Sequence, residues 1–265
     1  MDSIVHHLSK DGSSTLFSTQ FNQFYHNPNG AISESRHVFF EQSTLIECLS
    51  QTSNPISIFE MGFGTGLNFL LLLEYIKVLN IKIPIHFFSV EAIPAGIDAM
   101  NTVNYDELLT LDFKKNQLLD FFTDLKIGWN HLLIPQHPQV QLSLYVGRFS
   151  EMPIPNSYIN FYFHDPFSPE VNPELWTVET FNKLAIFADD KAVLSTYCAA
   201  SRARAALAKS GWFVAKAPGA LGKREMTVAS LEKKKISHLK RINEPRLIER
   251  YDRGDFSDLN QVNDT

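Results

Sequence analysis

From position 56 onward the chain alternates continuous apolar runs with stretches of helical spacing. ISIFEM, IHFFSVE, VQLSLYV, INFYFH and KAVLSTY are the apolar runs; LNFLLLLEYIKVL, PELWTVETFNKLAIF and the Ala-rich SRARAALAKSG are the helical ones. Runs without polar alternation predict strands covered on both faces, and their interleaving with helices predicts a parallel, doubly wound α/β domain over residues 51–253. Residues 1–50 read differently. TLFSTQF and FYHN alternate apolar with polar, and Asn29-Gly30 is a hairpin-turn dipeptide, so a small β-rich extension is expected ahead of the main domain. The Leu- and Phe-rich stretch 104–133, with Asp and Lys between, predicts a helical insertion. WFVAKA and MTVASLE stand close enough across PGALGKRE to pair as an antiparallel hairpin, and 254–265 reads as an acidic tail.

Composition narrows the class. With 265 residues, 44% of them hydrophobic and 20% charged, the chain is globular, and no run approaches the roughly 18 apolar residues a membrane span needs. The start, MDSIVHHLSKDGSS, lacks the basic and apolar regions of a signal peptide, and Cys48 and Cys198 are too few for a disulfide framework. A cytoplasmic protein without a membrane partner is expected. The nine His residues are scattered, so no metal site is expected either. Charge is uneven: the net −5 divides into −11 over residues 1–199, +9 over 200–253 and −3 over 254–265. That basic segment is either a solvated face or the seat of an anionic partner.

Three segments carry candidate chemistry. In FEMGFGTGLNF a buried strand ending near Glu60 runs through Gly62, Gly64 and Gly66 straight into a helix, where glycines admit a ligand to the free N–H groups of the helix start. No Lys follows to make a P-loop, and Leu67 stands where a dinucleotide fingerprint needs its third glycine. The second is Glu91, at the end of IHFFSVE, a carboxylate suited to a ribose diol. The third is HDPFSPEVNPELW, in which Asp165 follows a buried strand and Phe167 offers a stacking face inside a proline-stiffened loop. The plain alternatives are a tight strand-to-helix turn, a surface Glu and an Asx-type turn.

FYHNPNGAISESRHVFFEQSTL, FEMGFGTGLNFL, IHFFSVE, HDPFSPEVNPELWT and GALGKREM occur in the order and spacing of the methyltransferases that form 5-methylaminomethyl-2-thiouridine at the tRNA wobble position, and the chain resembles that family over nearly its whole length. The resemblance is to the methyltransferase without the FAD-dependent oxidase to which it is fused in many bacteria. It implies a Rossmann-like fold, S-adenosylmethionine as cofactor, and tRNA as partner. It also implies a separate oxidase or other modification enzyme that supplies the amine. By position, Glu60, Gly62, Gly64 and Gly66 match the cofactor loop, Glu91 the ribose-binding acid and Asp165 the acid that orients the amine. Phe167, Lys223 and Arg224 are the expected substrate contacts. The family's Asp-Gly-Phe-Ala-Pro is Asp-Pro-Phe-Ser-Pro here, and Arg148 stands where related enzymes often carry an Asp near the adenine amine. Two further classes share features: aminopropyltransferases, which have the glycine loop and an Asp-Pro after the fourth strand, and non-enzymatic RNA-binding modules, for which the basic segment alone would suffice.

Overall fold

The computed structural model describes residues 4–256. Strands β1 (Ile4–Leu8), β2 (Ser14–Ser18) and β3 (Gln23–Phe24) form a small antiparallel sheet. The β-rich character expected over 1–50 ends at Phe24. Helix α1 (Ala31–Ser35), a π-helical turn (Arg36–Glu41) and α2 (Leu45–Gln51) follow, because Val38, Phe39, Phe40, Leu45 and Leu49 recur at helical spacing and bury against the main sheet. Asn29-Gly30 therefore leads into α1 instead of closing a hairpin. Glycine suits the φ of +157° there, and a Cβ on Gly30 would lie 2.9 Å from the Asp11 carboxylate.

Among the described residues the main sheet has nine strands. Those in the centre are β4 (Ile56–Met61), β5 (Ile85–Glu91), β7 (Val140–Val146), β8 (Ile159–His164) and β9 (Ala188–Thr196), with β6 (Gly128–Leu133) on one edge and β10 (Phe213–Pro218), β11 (Glu225–Ser230) and β12 (Lys240–Arg241) on the other. The spatial order is β12-β10-β11-β9-β8-β4-β5-β7-β6. The block from β9 to β7 is parallel, and both flanks are antiparallel. The expected hairpin of WFVAKA with MTVASLE is β10 against β11. The chain thus has the α/β architecture of a Rossmann-like methyltransferase fold.

Each central strand serves two cores. Ile58, Phe87, Leu142 and Phe163 face α3 (Leu67–Val78) and the α1–α2 segment, whereas Phe59, Phe88, Tyr162 and Leu194 face the other side. This double burial is what removes polar alternation from their sequences. Helices α4 (Ile97–Thr102), α5 (Tyr105–Leu108) and α6 (Lys115–Thr123) cap the first face; α7 (Val178–Ile186) and α8 (Ser201–Lys209) fill the second, and α9 (Glu244–Asp252) packs on α8. The stretch 104–133 is helical only to Thr123. Its last part is strand β6, in which Trp129 packs on one face of the sheet and Leu132 on the other, a period a helix does not provide. Trp176, 1% exposed, belongs to the second core. Of the tail 254–265, residues 257–265 lie outside the described ones; Asp255 pairs with Arg250 and Arg253.

One member of the basic segment is no part of its surface. Arg204 is 5% exposed, its guanidinium donating to Thr227 Oγ1 at 2.9 Å and the Met226 carbonyl at 3.1 Å and pairing with Glu225 at 2.8 Å. It ties α8 to β11. Arg204→Met should therefore cost roughly 1.5–3 kcal/mol in urea unfolding, the range for hydrogen bonds to a charged group. Lys234→Met, on an exposed turn, should stay within about 0.5 kcal/mol of the parent.

Candidate active site

Strand order reverses beside β4: β5 lies on one side of it and β8 on the other. In open α/β sheets ligands bind beyond the carboxyl ends of strands at such a reversal. The loops after β4 and β8 meet there. Asp165 N–H donates to the Met61 carbonyl at 3.1 Å, and a Cβ on Gly62 (φ +89°) would stand 2.9 Å from the Asp165 carbonyl oxygen. No other residue fits position 62. At Gly64 a Cβ would press the Tyr25 ring at 3.3 Å. Gly66 caps the start of α3.

Beyond these strand ends opens a cleft of ≈ 1020 Å³, lined among others by Gly64, Glu91, Arg148, Asp165 and Phe167. Glu91 sits on its wall with both carboxylate oxygens engaged by backbone: Gly64 N–H reaches Oε2 at 3.0 Å and Ile93 N–H reaches Oε1 at 2.9 Å. Burial pushes its carboxyl above the usual range despite these bonds. Glu60, 1% exposed, lies beneath the loop, with Asn68 donating to Oε1 at 2.9 Å and Ser89 to Oε2 at 3.0 Å. Burial pushes it up to about 8. Asp165 opens partly on the cleft, but protein crowds it from every other side. Burial first, then the neighbouring Glu60 and Glu34, holds its carboxyl well above the usual range, while Asn68 and Lys223 act in the opposite direction.

The Asp165 loop is fixed from several elements. Tyr197 Oη donates to the Pro166 carbonyl at 2.8 Å, Trp176 Nε1 to that of Phe167 at 2.9 Å, and Ser168 N–H to Gln23 Oε1 at 3.2 Å. Phe167 packs against Phe21 and Tyr25, with ring centres 5.1 and 5.3 Å away. The N-terminal sheet is therefore a wall of the cleft. His26 joins it, Nε2 lying 2.9 Å from Thr65 Oγ1 in the glycine loop.

The fold thus gathers Glu60, Gly62, Gly64, Gly66, Glu91, Asp165 and Phe167 at one place. Lys223 and Arg224 part company. Lys223 turns toward the site, 2.7 Å from Glu34 Oε1 and 5.3 Å above the Tyr197 ring, whereas Arg224 is exposed to solvent. Arg148 is exposed on the rim after β7. Sequence reading missed Asn68, Phe21, Tyr25 and His26. Asn68 carried a signal, being the polar member of the otherwise apolar LNFLLLL; the other three carried none, because their contacts depend on where the N-terminal sheet docks. Among the described residues, no group of three or more His, Cys, Asp or Glu is arranged to hold a metal ion, and no helix is long and apolar enough to cross a membrane.

The chain is similar to known proteins in sequence and in fold. A family model described as S-adenosyl-L-methionine-dependent methyltransferase matches residues 112–232. The tRNA 5-methylaminomethyl-2-thiouridine biosynthesis bifunctional protein MnmC of Legionella pneumophila (strain Lens) is 29% identical over 250 residues, covering 86% of this chain and 37% of that protein. Its counterpart in Leptospira interrogans (serovar copenhageni) is 31% identical over 222 residues, covering 82% and 34%. The crystal structure of MNMC2 from Aquifex aeolicus superposes with a TM-score of 0.68 at 24% identity, over 94% of this chain and 81% of that one. Spermidine synthase from Thermotoga maritima superposes with 0.54 at 12% identity, over 91% and 73%. The chain is thus of the S-adenosylmethionine-dependent methyltransferase class. Within that class it belongs to the family of the tRNA 5-methylaminomethyl-2-thiouridine biosynthesis proteins, and it spans about a third of the length of the curated relatives it matches.

Glu60 makes stability depend on pH. Its folded value of about 8 exceeds the ordinary 4.5, so between these the folded state binds more protons than the unfolded, and stability falls as pH rises through that window. Glu60→Gln removes the titrating group. The parent's melting temperature should drop from pH 5 to pH 8.5 more steeply than the variant's, as scanning calorimetry would register.

Proposed function

We propose that the chain methylates the primary amine of 5-aminomethyl-2-thiouridine at the wobble position of tRNA, with S-adenosylmethionine as methyl donor. The observation that carries this reading is Asp165: an acid at the reversal point of the sheet, against the glycine loop and beside an aromatic wall. The amine precursor then comes from a preceding modification reaction.

The residues present fit an adenosyl cofactor. Gly64 N–H holds one carboxylate oxygen of Glu91 and Ile93 N–H the other, which fixes on the cleft wall a carboxylate suited to the hydroxyls of a ribose. The glycine loop offers no side chain to obstruct the approach, and the start of α3 lies behind it. When bound, S-adenosylmethionine supplies a methyl carbon made electrophilic by its sulfonium sulfur. Asp165 orients the amine and receives the proton it sheds. An aspartate near its ordinary pKa of about 4 is a weak proton acceptor, but burial and the neighbouring carboxyls make this one more basic. A substrate that fills the cleft displaces the remaining water and strengthens that effect. Phe167, with Phe21 and Tyr25 behind it, presents an aromatic face to the extruded base at about 1–3 kcal/mol per stacked base. Lys223 compensates Glu34 beside the amine site, while Arg224 and the exposed Lys233–Lys235 turn are free to meet phosphate.

Asp165→Asn should slow single-turnover methyl transfer by about a hundredfold while S-adenosylmethionine affinity stays within a few fold, because positioning and proton acceptance act on the reacting geometry. A rate near the parent's would refute the role, and the same assay with putrescine tests polyamine chemistry. Glu91→Ala should weaken cofactor binding by roughly 2–4 kcal/mol in calorimetry if both diol hydrogen bonds are lost. The substrate is tested by mass spectrometry of nucleosides from tRNA carrying the aminomethyl group, incubated with the protein and cofactor. Absence of the methylaminomethyl product would end the proposal.

A further inference from the structure

Two carboxyls at the centre of the site share one amide. Asn68, 1% exposed in the first turn of α3, donates from Nδ2 to Glu60 Oε1 at 2.9 Å and to Asp165 Oδ2 at 3.2 Å. Both of its N–H bonds are thereby used, one on each acid. Its own Oδ1 is buried with no hydrogen-bond partner, an arrangement that costs about 1–3 kcal/mol in a folded protein. Turning the amide around would satisfy Oδ1 only from protonated carboxyls. Among the described residues no Lys, Arg or His forms an ion pair with either acid, and the cation that comes near, Lys223, is engaged by Glu34.

We propose that Asn68 is a positioning residue of the methyl-transfer site, whose amide couples Glu60 to Asp165 so that the two carboxyls carry one proton between them and Asp165 is kept in its proton-accepting orientation. Like charges this close and this poorly solvated do not ionise together at neutral pH. The proton belongs to the pair: the charge of an ionised Glu60 raises Asp165, which is thereby kept unusually basic. Burial raises both carboxyls, and Glu60 raises Asp165 further. Other groups also face Asp165: Glu34 from α1, Lys223 from the β10–β11 turn and Tyr197 after β9, while Glu91 at the end of β5 acts on Glu60. None of them bridges the two acids, so substitution of Asn68 isolates the coupling. The inference rests on the amine-methylation reading, which it deepens.

The test separates the two. The side-chain carboxyl of Asp165 is followed by ¹³C NMR across pH in the free protein, its signal assigned by loss in Asp165→Asn, and single-turnover transfer to tRNA is measured over the same range. Asn68→Leu, which fits an apolar helix in size, should move the Asp165 midpoint upward by about one pH unit, because the donor that favours the ionised form is gone. Glu60→Gln should move it downward by a similar amount, because the like charge is gone. The acidic limb of the rate should follow each shift. An Asn68 that merely packs would lower the rate by one factor at every pH and leave the midpoint in place, and that result overturns the proposal, as does an unmoved midpoint in Glu60→Gln. Both NMR shifts in a protein that transfers no methyl group to tRNA would uphold the coupling and remove the substrate reading.

Discussion

The contact between the backbone at Gly62 and the carbonyl of Asp165 governs the rest of the site. Strands β4 and β8 are neighbours in the sheet, although about a hundred residues of chain separate their ends, and the loops leaving them diverge only after this close approach. With glycine at 62 the two loops meet within one hydrogen bond, and the cofactor-type loop and the acid share a single floor. A side chain there would force the two loops apart, because its Cβ would stand 2.9 Å from the Asp165 carbonyl oxygen. The turn at Gly64 extends the same demand to the N-terminal sheet, where Tyr25 lies across the loop.

From this closeness follows an electrostatic problem and its solution. Glu60, Glu91 and Asp165 converge on the same strand ends, within residues 1–199, the part of the chain that is already negative. The protein answers with neutral donors: an asparagine amide, a serine hydroxyl and backbone N–H groups. Donors of this kind stabilise charge without cancelling it. The site keeps a negative field, which suits a cationic sulfonium and an amine; a full complement of lysines would have removed it. The cation beside Asp165, Lys223, is tied to another acid, Glu34.

The same logic reduces the basic segment to the part that is free. Its charge count treats every Lys and Arg alike, but Arg204 is an internal tie between α8 and β11 and Lys223 is a neighbour of the site. The residues that remain outward, Arg224 and Lys233–Lys235 among them, are fewer than composition implies. Burial made the difference, since a long cationic side chain can end in solvent or on a carbonyl with equal ease.

Much of the fold was legible in the sequence because double burial leaves a one-dimensional trace. Strands that face two cores lose their polar alternation, and the order of strands and helices then permits few right-handed arrangements. Gly62, Glu91 and Asp165 could be picked out because each follows such a strand. The run 104–133 misled because helix and edge strand draw on the same Leu and Phe, and only the pairing of β6 with β7 chose between them. The N-terminal residues were legible as strands up to Phe24 but not as a wall of the cleft, since Phe21, Tyr25 and His26 acquire their partners by docking across the glycine loop. The sequence by itself determined which acids and glycines stand at strand ends, a property of local order. Only the tertiary structure decided that Asn68 would lie between two of those acids and how basic Asp165 would become, because proximity and loss of water depend on elements that the chain brings together from far apart.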